Sequence, residues 1–261
     1  PKRPLMTSRR IRRRPASAPL FLVVFFVICS LAIGAGWLWQ RSRSEPEEAP
    51  SVPVDSVAPT PAQPFVLPSL GASDAAVRAL VSGVSSHPRL ASWLVTDDLV
   101  RRFVEAVVDI SRGSSPAVPL DVLIPEEPFS VQAVGDGLVT APRSHQRYDL
   151  LGEVFAGVDA QAAAETYRRL LPLFREAYQE LGVQDGEFEE VLGRAIGALL
   201  AVDVPEGPLE LREAVGRYVY LDPSIESLTP AQKHMFRLGP VNAGLVQEKL
   251  REISVLLDLP L

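Results

Sequence analysis

Apolar residues recur at every third or fourth position over most of the C-terminal part of the chain, which is the spacing of amphipathic α-helices. Capping residues precede three of these stripes, namely Ser73, Thr96 and Asp159. Gly113 and Gly182 follow the second and third stripes, where a helix commonly ends. The inward positions predicted for the first four helices are Val77, Leu80, Val81 and Val84; Leu99, Phe103, Val107 and Ile110; Ala163, Tyr167, Leu170, Phe174, Ala177 and Leu181; and Phe188, Leu192, Ala195 and Leu199.

Prolines mark the start and the interruption of the last helical region. Thr229-Pro230 predicts a helix start, because threonine caps an N-terminus and proline suits the first turn. Gly239-Pro240 predicts a break, because proline lacks the backbone donor that a helix interior needs. A final helix follows, with inward positions Val246, Leu250, Ile253 and Leu257.

Alternation with period two occurs at residues 129–134 and 138–140, on either side of Gly135-Asp136-Gly137. This arrangement predicts a β-hairpin. The fold class expected for residues 69–261 is therefore mostly α, a compact helical domain with one small β-hairpin.

A different pattern occupies residues 20–39, which form an apolar run without any charged side chain. Twenty residues at about 1.5 Å each span about 30 Å, the thickness of a bilayer core. Trp37 and Trp39 close the run, and tryptophan favours the membrane interface. The run predicts a single transmembrane helix in contact with the lipid bilayer. The alternative is a cleaved signal peptide, which would need a shorter apolar run and a small-residue cleavage site.

Charge predicts the direction of this helix. Residues 1–19 hold seven basic residues and no acidic one, whereas only Arg41 and Arg43 follow closely. The excess of positive charge favours a cytoplasmic N-terminus in the inner (cytoplasmic) membrane and an extracytoplasmic C-terminal domain. Residues 40–68 are expected to be a linker, because residues 45–68 contain seven prolines.

The extracytoplasmic part is strongly acidic. From residue 45 onward there are 17 basic and 32 acidic residues, a net charge of −15. This excludes a phosphate-neutralising nucleic-acid surface and allows a cationic partner. Cys29 lies within the apolar run, and His87, His145 and His234 have no metal-site spacing. We therefore expect no metal, no cofactor and no disulfide.

One cluster after the hairpin is a candidate interaction patch: Arg143, Arg147, Tyr148 and Asp149. Arginine and tyrosine are enriched at protein interfaces. The alternative is an internal ion pair that braces the hairpin against the helices.

A faint catalytic signal involves Glu226-Ser227 and the later run Gly244-Leu245-Val246-Gln247. These residues resemble motifs of lytic transglycosylases, in which a glutamate with a raised pKa protonates a glycosidic oxygen. The alternative places Glu226 in a loop and Leu245 and Val246 in the core.

Several short motifs follow one another along the chain: residues 98–104, Arg147-Tyr148-Asp149, residues 167–173, Glu176-Ala177-Tyr178, Leu181-Gly182, Gly207-Pro208 and residues 232–240. Their order resembles a bacterial domain of unknown function, family 3014, and the resemblance spans about residue 70 to the end of the chain. The resemblance implies a membrane-anchored protein with a proline-rich linker, and it brings no activity, cofactor or catalytic residue.

Together these patterns favour a non-catalytic interaction or scaffold domain in the periplasm, with a protein of the cell envelope as its partner. The alternative function is an envelope hydrolase that acts on cell-wall glycan through Glu226.

Overall fold

The computed structural model describes residues 66–115 and 125–261. The predicted cytoplasmic tail at residues 1–19, the predicted transmembrane helix at residues 20–39 and most of the linker lie outside these residues. Within the described ranges, no helix is both long enough and apolar enough to cross a bilayer.

The described residues form nine α-helices, four β-strands and one short 3-10 helix at Leu70–Ala72. The helices are α1 (Asp74–Val81), α2 (Pro88–Trp93), α3 (Leu99–Ser111), α4 (Pro142–Gln146), α5 (Asp149–Ala156), α6 (Ala160–Glu180), α7 (Phe188–Leu200), α8 (Pro223–Glu226) and α9 (Pro230–Leu257). The strands are β1 (Val131–Val134), β2 (Gly137–Thr140), β3 (Glu210–Ala214) and β4 (Arg217–Tyr220).

A cluster of phenylalanine rings joins α3, α6 and α7 at the centre of the core. Phe103 lies 4.7 Å from Phe174 and 6.1 Å from Phe188, measured between ring centroids. All three side chains are fully buried. Each ring comes from a different helix, so the cluster holds the three helices together, and each aromatic pair adds about 0.5–1.5 kcal/mol beyond its area burial.

Two of the four predicted helix caps are confirmed. Asp159 accepts a hydrogen bond from the backbone N–H of Ala162, and Thr229 forms a capping box. Ser73 immediately precedes α1, but its side chain does not cap the helix and its hydroxyl donates to the Leu70 carbonyl oxygen at 2.7 Å.

The cap predicted at Thr96 is wrong, because α3 begins at Leu99. The helix is instead capped by a distant side chain. The carboxylate of Asp74 accepts hydrogen bonds from the N–H groups of Asp98 and Leu99, both at 2.9 Å. The start of α3 is therefore tied to α1.

The predicted hairpin is present as β1 and β2, but the expected fold class is wrong. A second hairpin, β3 and β4, joins the first, and the four strands form one antiparallel sheet in the order β1-β2-β3-β4. Leu138 of β2 pairs with Leu211 of β3. The domain is therefore a mixed helical domain with a small four-stranded sheet. The sequence does not predict strand β3, because most of its positions are charged. The segment forms a strand because it pairs with β2, and its own composition does not favour one.

The predicted interruption of the last helix is confirmed. Gly239 has non-helical angles, φ 76° and ψ 168°, although the helical range continues on both sides of it. The sheet packs beside the first half of α9, where the rings of Tyr220 and Phe236 lie 5.9 Å apart. The break therefore lies close to where the sheet, α4 and α5 meet α9.

Candidate functional site

The break in α9 lies at a surface pocket of about 460 Å³, a volume within the range of small-molecule and cofactor sites. Its apolar lining, which we call the floor, includes Leu238, Val241 and Leu245. Helices α4 and α5 supply the polar side, which includes His145, Asp149 and Glu153.

Glycine is required at position 239 for two reasons. The angles φ 76° and ψ 168° belong to a region that essentially only glycine adopts. In addition, a Cβ at this position would lie 2.5 Å from Cγ and 2.6 Å from Nδ1 of His145. The imidazole ring therefore packs directly against the backbone at the helix break.

A buried amide ties the polar side of the pocket to α9. The Nδ2 group of Asn242, a residue only 4% exposed, donates to Asp149 Oδ1 at 3.0 Å and lies 3.3 Å from the carbonyl oxygens of His145 and Leu238. Gly152 leaves room for this amide, because a Cβ there would overlap with Asn242 Oδ1. The contacts hold α4, α5 and the helix break in one arrangement, so the pocket is preformed.

His145 places a polar atom without a partner at this site. Its Nε2 atom is buried and has no hydrogen-bond partner among residues 66–115 and 125–261. Burial lowers the pKa of His145, the charge of Arg147 lowers it further, and Asp149 opposes the shift. The ring is therefore neutral at pH 7. Buried polar atoms usually have a partner, so Nε2 is an unsatisfied polar atom in the wall of the pocket.

Two carboxylates lie at the rim of the pocket. Asp149 and Glu153 are four residues apart on α5, so they lie on the same face of the helix, and both residues are exposed. Neither forms an ion pair within the described part of the chain, and no lysine or arginine is among the described residues that line the pocket. The rim is therefore negatively charged.

The structure separates the four residues of the predicted interaction patch. Arg143 and Asp149 are exposed, Arg147 is partly buried, and Tyr148 is buried. The guanidinium of Arg147 lies 4.8 Å from the Tyr148 ring centroid and 5.6 Å from that of Phe129. The Arg147 Nε group also donates to the Ser144 carbonyl oxygen at 3.0 Å. Arg147 thus braces the segment before β1 by cation–π contact with Phe129 and by a hydrogen bond to the Glu127 carbonyl oxygen at 3.2 Å, and it forms no ion pair within the described residues.

The surroundings of Glu226 do not suit a proton donor. Its Oε1 atom lies 3.1 Å from Lys233 Nζ, and its Oε2 atom accepts a hydrogen bond from the Tyr220 N–H at 3.1 Å. Burial acts to raise the pKa of Glu226, but these two partners outweigh it and the pKa is lowered. A general acid in glycoside hydrolysis needs the opposite shift.

The other part of the transglycosylase-like signal is structural. The side chain of Gln247 is nearly buried and donates to the carbonyl oxygens of Leu199 and Val202 at 3.0 and 2.7 Å. It therefore closes the C-terminal end of α7. Val246 is buried in the core, and Leu245 contributes to the pocket floor.

Neither of the remaining histidines forms part of a metal centre in the described ranges, where no group of three or more His, Cys, Asp or Glu side chains could hold a metal ion. His234 is buried and its Nε2 atom lies 3.1 Å from Ser115 Oγ. Burial is the largest of several causes that lower the pKa of His234 well below its usual value. Its neutral ring is a packed, hydrogen-bonded element of the core.

Sequence reasoning found Asp149 and the break at Gly239 but did not connect them. It missed Asn242, Glu153 and the role of His145. One signal was available, because an asparagine side chain close to a Gly-Pro break can donate to a neighbouring backbone carbonyl, as Asn242 does to Leu238.

A family model described as "Protein of unknown function (DUF3014)" matches residues 99–254, which is more than half of the chain and includes the whole pocket. The match is narrower than the resemblance from residue 70 to the end. No curated protein and no solved structure matches the chain.

Proposed function

The chain belongs to the DUF3014 family of proteins of unknown function, and from that premise we propose that its domain is a non-catalytic interaction module that binds a partner at the pocket beside Gly239. The single observation that carries this proposal is the preformed pocket. An apolar floor with a few fixed polar groups is the usual construction of a binding site.

The proposal includes a place for the module. We propose that it faces the periplasm and that residues 20–39 contact the bilayer of the cytoplasmic membrane. The uncharged run and the excess of basic residues before it support this orientation. A linker at residues 45–68 would reach about 75 Å in an extended proline-rich conformation, at about 3.1 Å per residue. A tethered module with that reach can hold a partner near the membrane.

Site-specific photo-crosslinking of the full-length chain in its native cells tests the proposal. Val241 lies at the pocket and is 73% exposed, whereas Val255 lies on the same helix, is 78% exposed and does not line the pocket. A benzophenone amino acid at position 241 should give a discrete crosslinked species, and the same amino acid at position 255 should not. Equal labelling at both positions, or none at either, refutes binding at this pocket.

A second substitution separates specific capture from random contact. Leu245→Gln makes the pocket floor polar and should weaken the crosslink at position 241 several-fold. Leu181→Gln changes a leucine that is 40% exposed at the end of α6 and serves as the control. A crosslink at position 241 that survives Leu245→Gln unchanged counts against the pocket as the contact surface.

A further inference from the structure

We infer that the occupant of the pocket beside Gly239 is a basic side chain, a lysine or an arginine of the bound polypeptide, with its stem on the apolar floor and its charge between Asp149 and Glu153. This inference rests on the proposed function and names the chemistry of its partner. Three features of the described residues support it.

The first feature is charge that has no counterpart. Asp149 and Glu153 are one helical turn apart, where two like charges repel each other. Neither carboxylate has an ion-pair partner in the described ranges, whereas Glu226 and Glu180 are paired with Lys233 and Arg101. A cation placed between the two carboxylates removes this repulsion. The rim therefore favours a positively charged group over a neutral one.

The second feature is the combination of this rim with an apolar floor. Val241 and Leu245 line the same pocket as the carboxylates and provide aliphatic contact there. Lysine and arginine carry a long aliphatic stem below a charged head, and the stem commonly lies on apolar surface while the head stays near solvent. A metal ion or an inorganic cation would leave the floor without contact, whereas a basic side chain uses both parts of the pocket.

The third feature is the partnerless atom of His145. His145 lines the pocket, and its buried Nε2 atom has no hydrogen-bond partner among the described residues. Arginine has five N–H donors in a planar fork and can reach a carboxylate and a second acceptor together. The neutral state of the ring, which follows from its lowered pKa, avoids repulsion with the incoming charge.

The net charge of residues 45–261 also favours a basic partner. The chain from residue 45 onward carries a net charge of −15, so its field attracts a basic segment before contact is made. This long-range attraction alone does not select the pocket. The test must therefore compare removal of a carboxylate at the rim with removal of a carboxylate elsewhere.

A pair of probe peptides tests the inference on the full-length chain. The probes are a capped, fluorine-labelled Leu-Arg-Leu peptide and the same peptide with citrulline, which has the shape of arginine but no charge. Binding is read from fluorine relaxation of the peptide. The arginine peptide should bind at least tenfold more tightly. Equal binding of the two peptides, or binding of neither, overturns the inference.

Matched charge-removing variants locate the effect. Asp149→Asn and Glu153→Gln should each weaken the arginine peptide at least threefold and leave the citrulline peptide unchanged. Glu176→Gln removes the same charge from an exposed position on α6 and should change neither peptide. An equal loss in all three variants would show that the net charge, and not the pocket, attracts the peptide. That result also overturns the inference.

The two proposals fail separately. If position 241 crosslinks and is sensitive to Leu245→Gln while arginine and citrulline bind equally, the pocket binds a partner of other chemistry. If position 241 does not crosslink, the proposed function itself fails.

Discussion

The packing of His145 against Gly239 gives a quantitative prediction for the centre of the pocket. In Gly239→Ala the new residue keeps φ 76° and ψ 168°, a conformation that costs a non-glycine residue about 1–3 kcal/mol. Its Cβ also meets the His145 side chain at 2.5, 2.6 and 2.8 Å. Overpacking of this kind costs about 1–3 kcal/mol more. The free energy of unfolding should therefore fall by about 2–6 kcal/mol.

A double-mutant cycle separates the two contributions. His145→Ala removes the ring contacts at 2.5 and 2.6 Å and leaves the contact with the Cβ of residue 145 at 2.8 Å. Gly239→Ala should therefore cost less in the His145→Ala background than in the parent chain. The expected coupling between the two positions is at least about 1 kcal/mol, well above the usual error of additivity.

Urea unfolding of the four chains of the cycle, followed by circular dichroism, measures this coupling. Gly216 is a matched control, because its φ is 74° and a Cβ there would meet nothing within 4 Å. The cost of Gly216→Ala should be the same in the parent chain and in the His145→Ala background. A coupling below about 0.5 kcal/mol for Gly239 would refute the close packing of the imidazole on the helix break.

Three further predictions concern the rest of the domain. Asp74→Ala should lower the free energy of unfolding by about 1–2 kcal/mol, because α3 loses the carboxylate at its N-terminus. The control Asp97→Ala, at a largely exposed carboxylate, should change it by less than about 0.5 kcal/mol. Equal effects of the two substitutions in urea titrations would show that Asp74 is not the cap. Tyr167→Phe should leave stability unchanged or raise it by up to about 1 kcal/mol, because the Tyr167 hydroxyl is buried without a partner among the described residues, and a clear loss of stability would reveal a hydrogen bond to that hydroxyl. The lowered pKa of Glu226 means that its ionised form stabilises the fold above the ordinary value of 4.5, and that this contribution fades as the pH falls through the lower pKa of the folded state. Glu226→Gln should therefore be less stable than the parent chain at pH 7 and equal to it at strongly acidic pH, and a difference that persists at acid pH would contradict the ionic origin.

Local chemistry explains the features that the sequence alone predicted. The helical periods, the caps at Asp159 and Thr229, and the break at Gly239-Pro240 all depend on residues within one or two turns of each other. The first hairpin belongs to the same group, since Gly135 takes a positive φ at its turn. Family membership also follows from short local motifs in a fixed order.

Tertiary structure decided the features that depend on residues far apart in the chain. Strand β3 has a charged, helix-compatible composition and becomes a strand because β2 and β4 pair with it on both sides. The cap of α3 is supplied by Asp74, whose position relative to Leu99 is set only when α1 packs beside α3. Thr96 had the right chemistry and the wrong position.

The pocket belongs to this second group. The sequence predicted that the last helix would break at Gly239. It could not predict that the His145 ring would pack against Gly239, or that Asn242 would donate a hydrogen bond to Asp149, 93 positions earlier in the chain. A break in a helix is a local consequence of glycine and proline. Whether it also opens a pocket depends on which side chains the fold brings against the backbone at the break, and that is decided by packing among α4, α5 and α9.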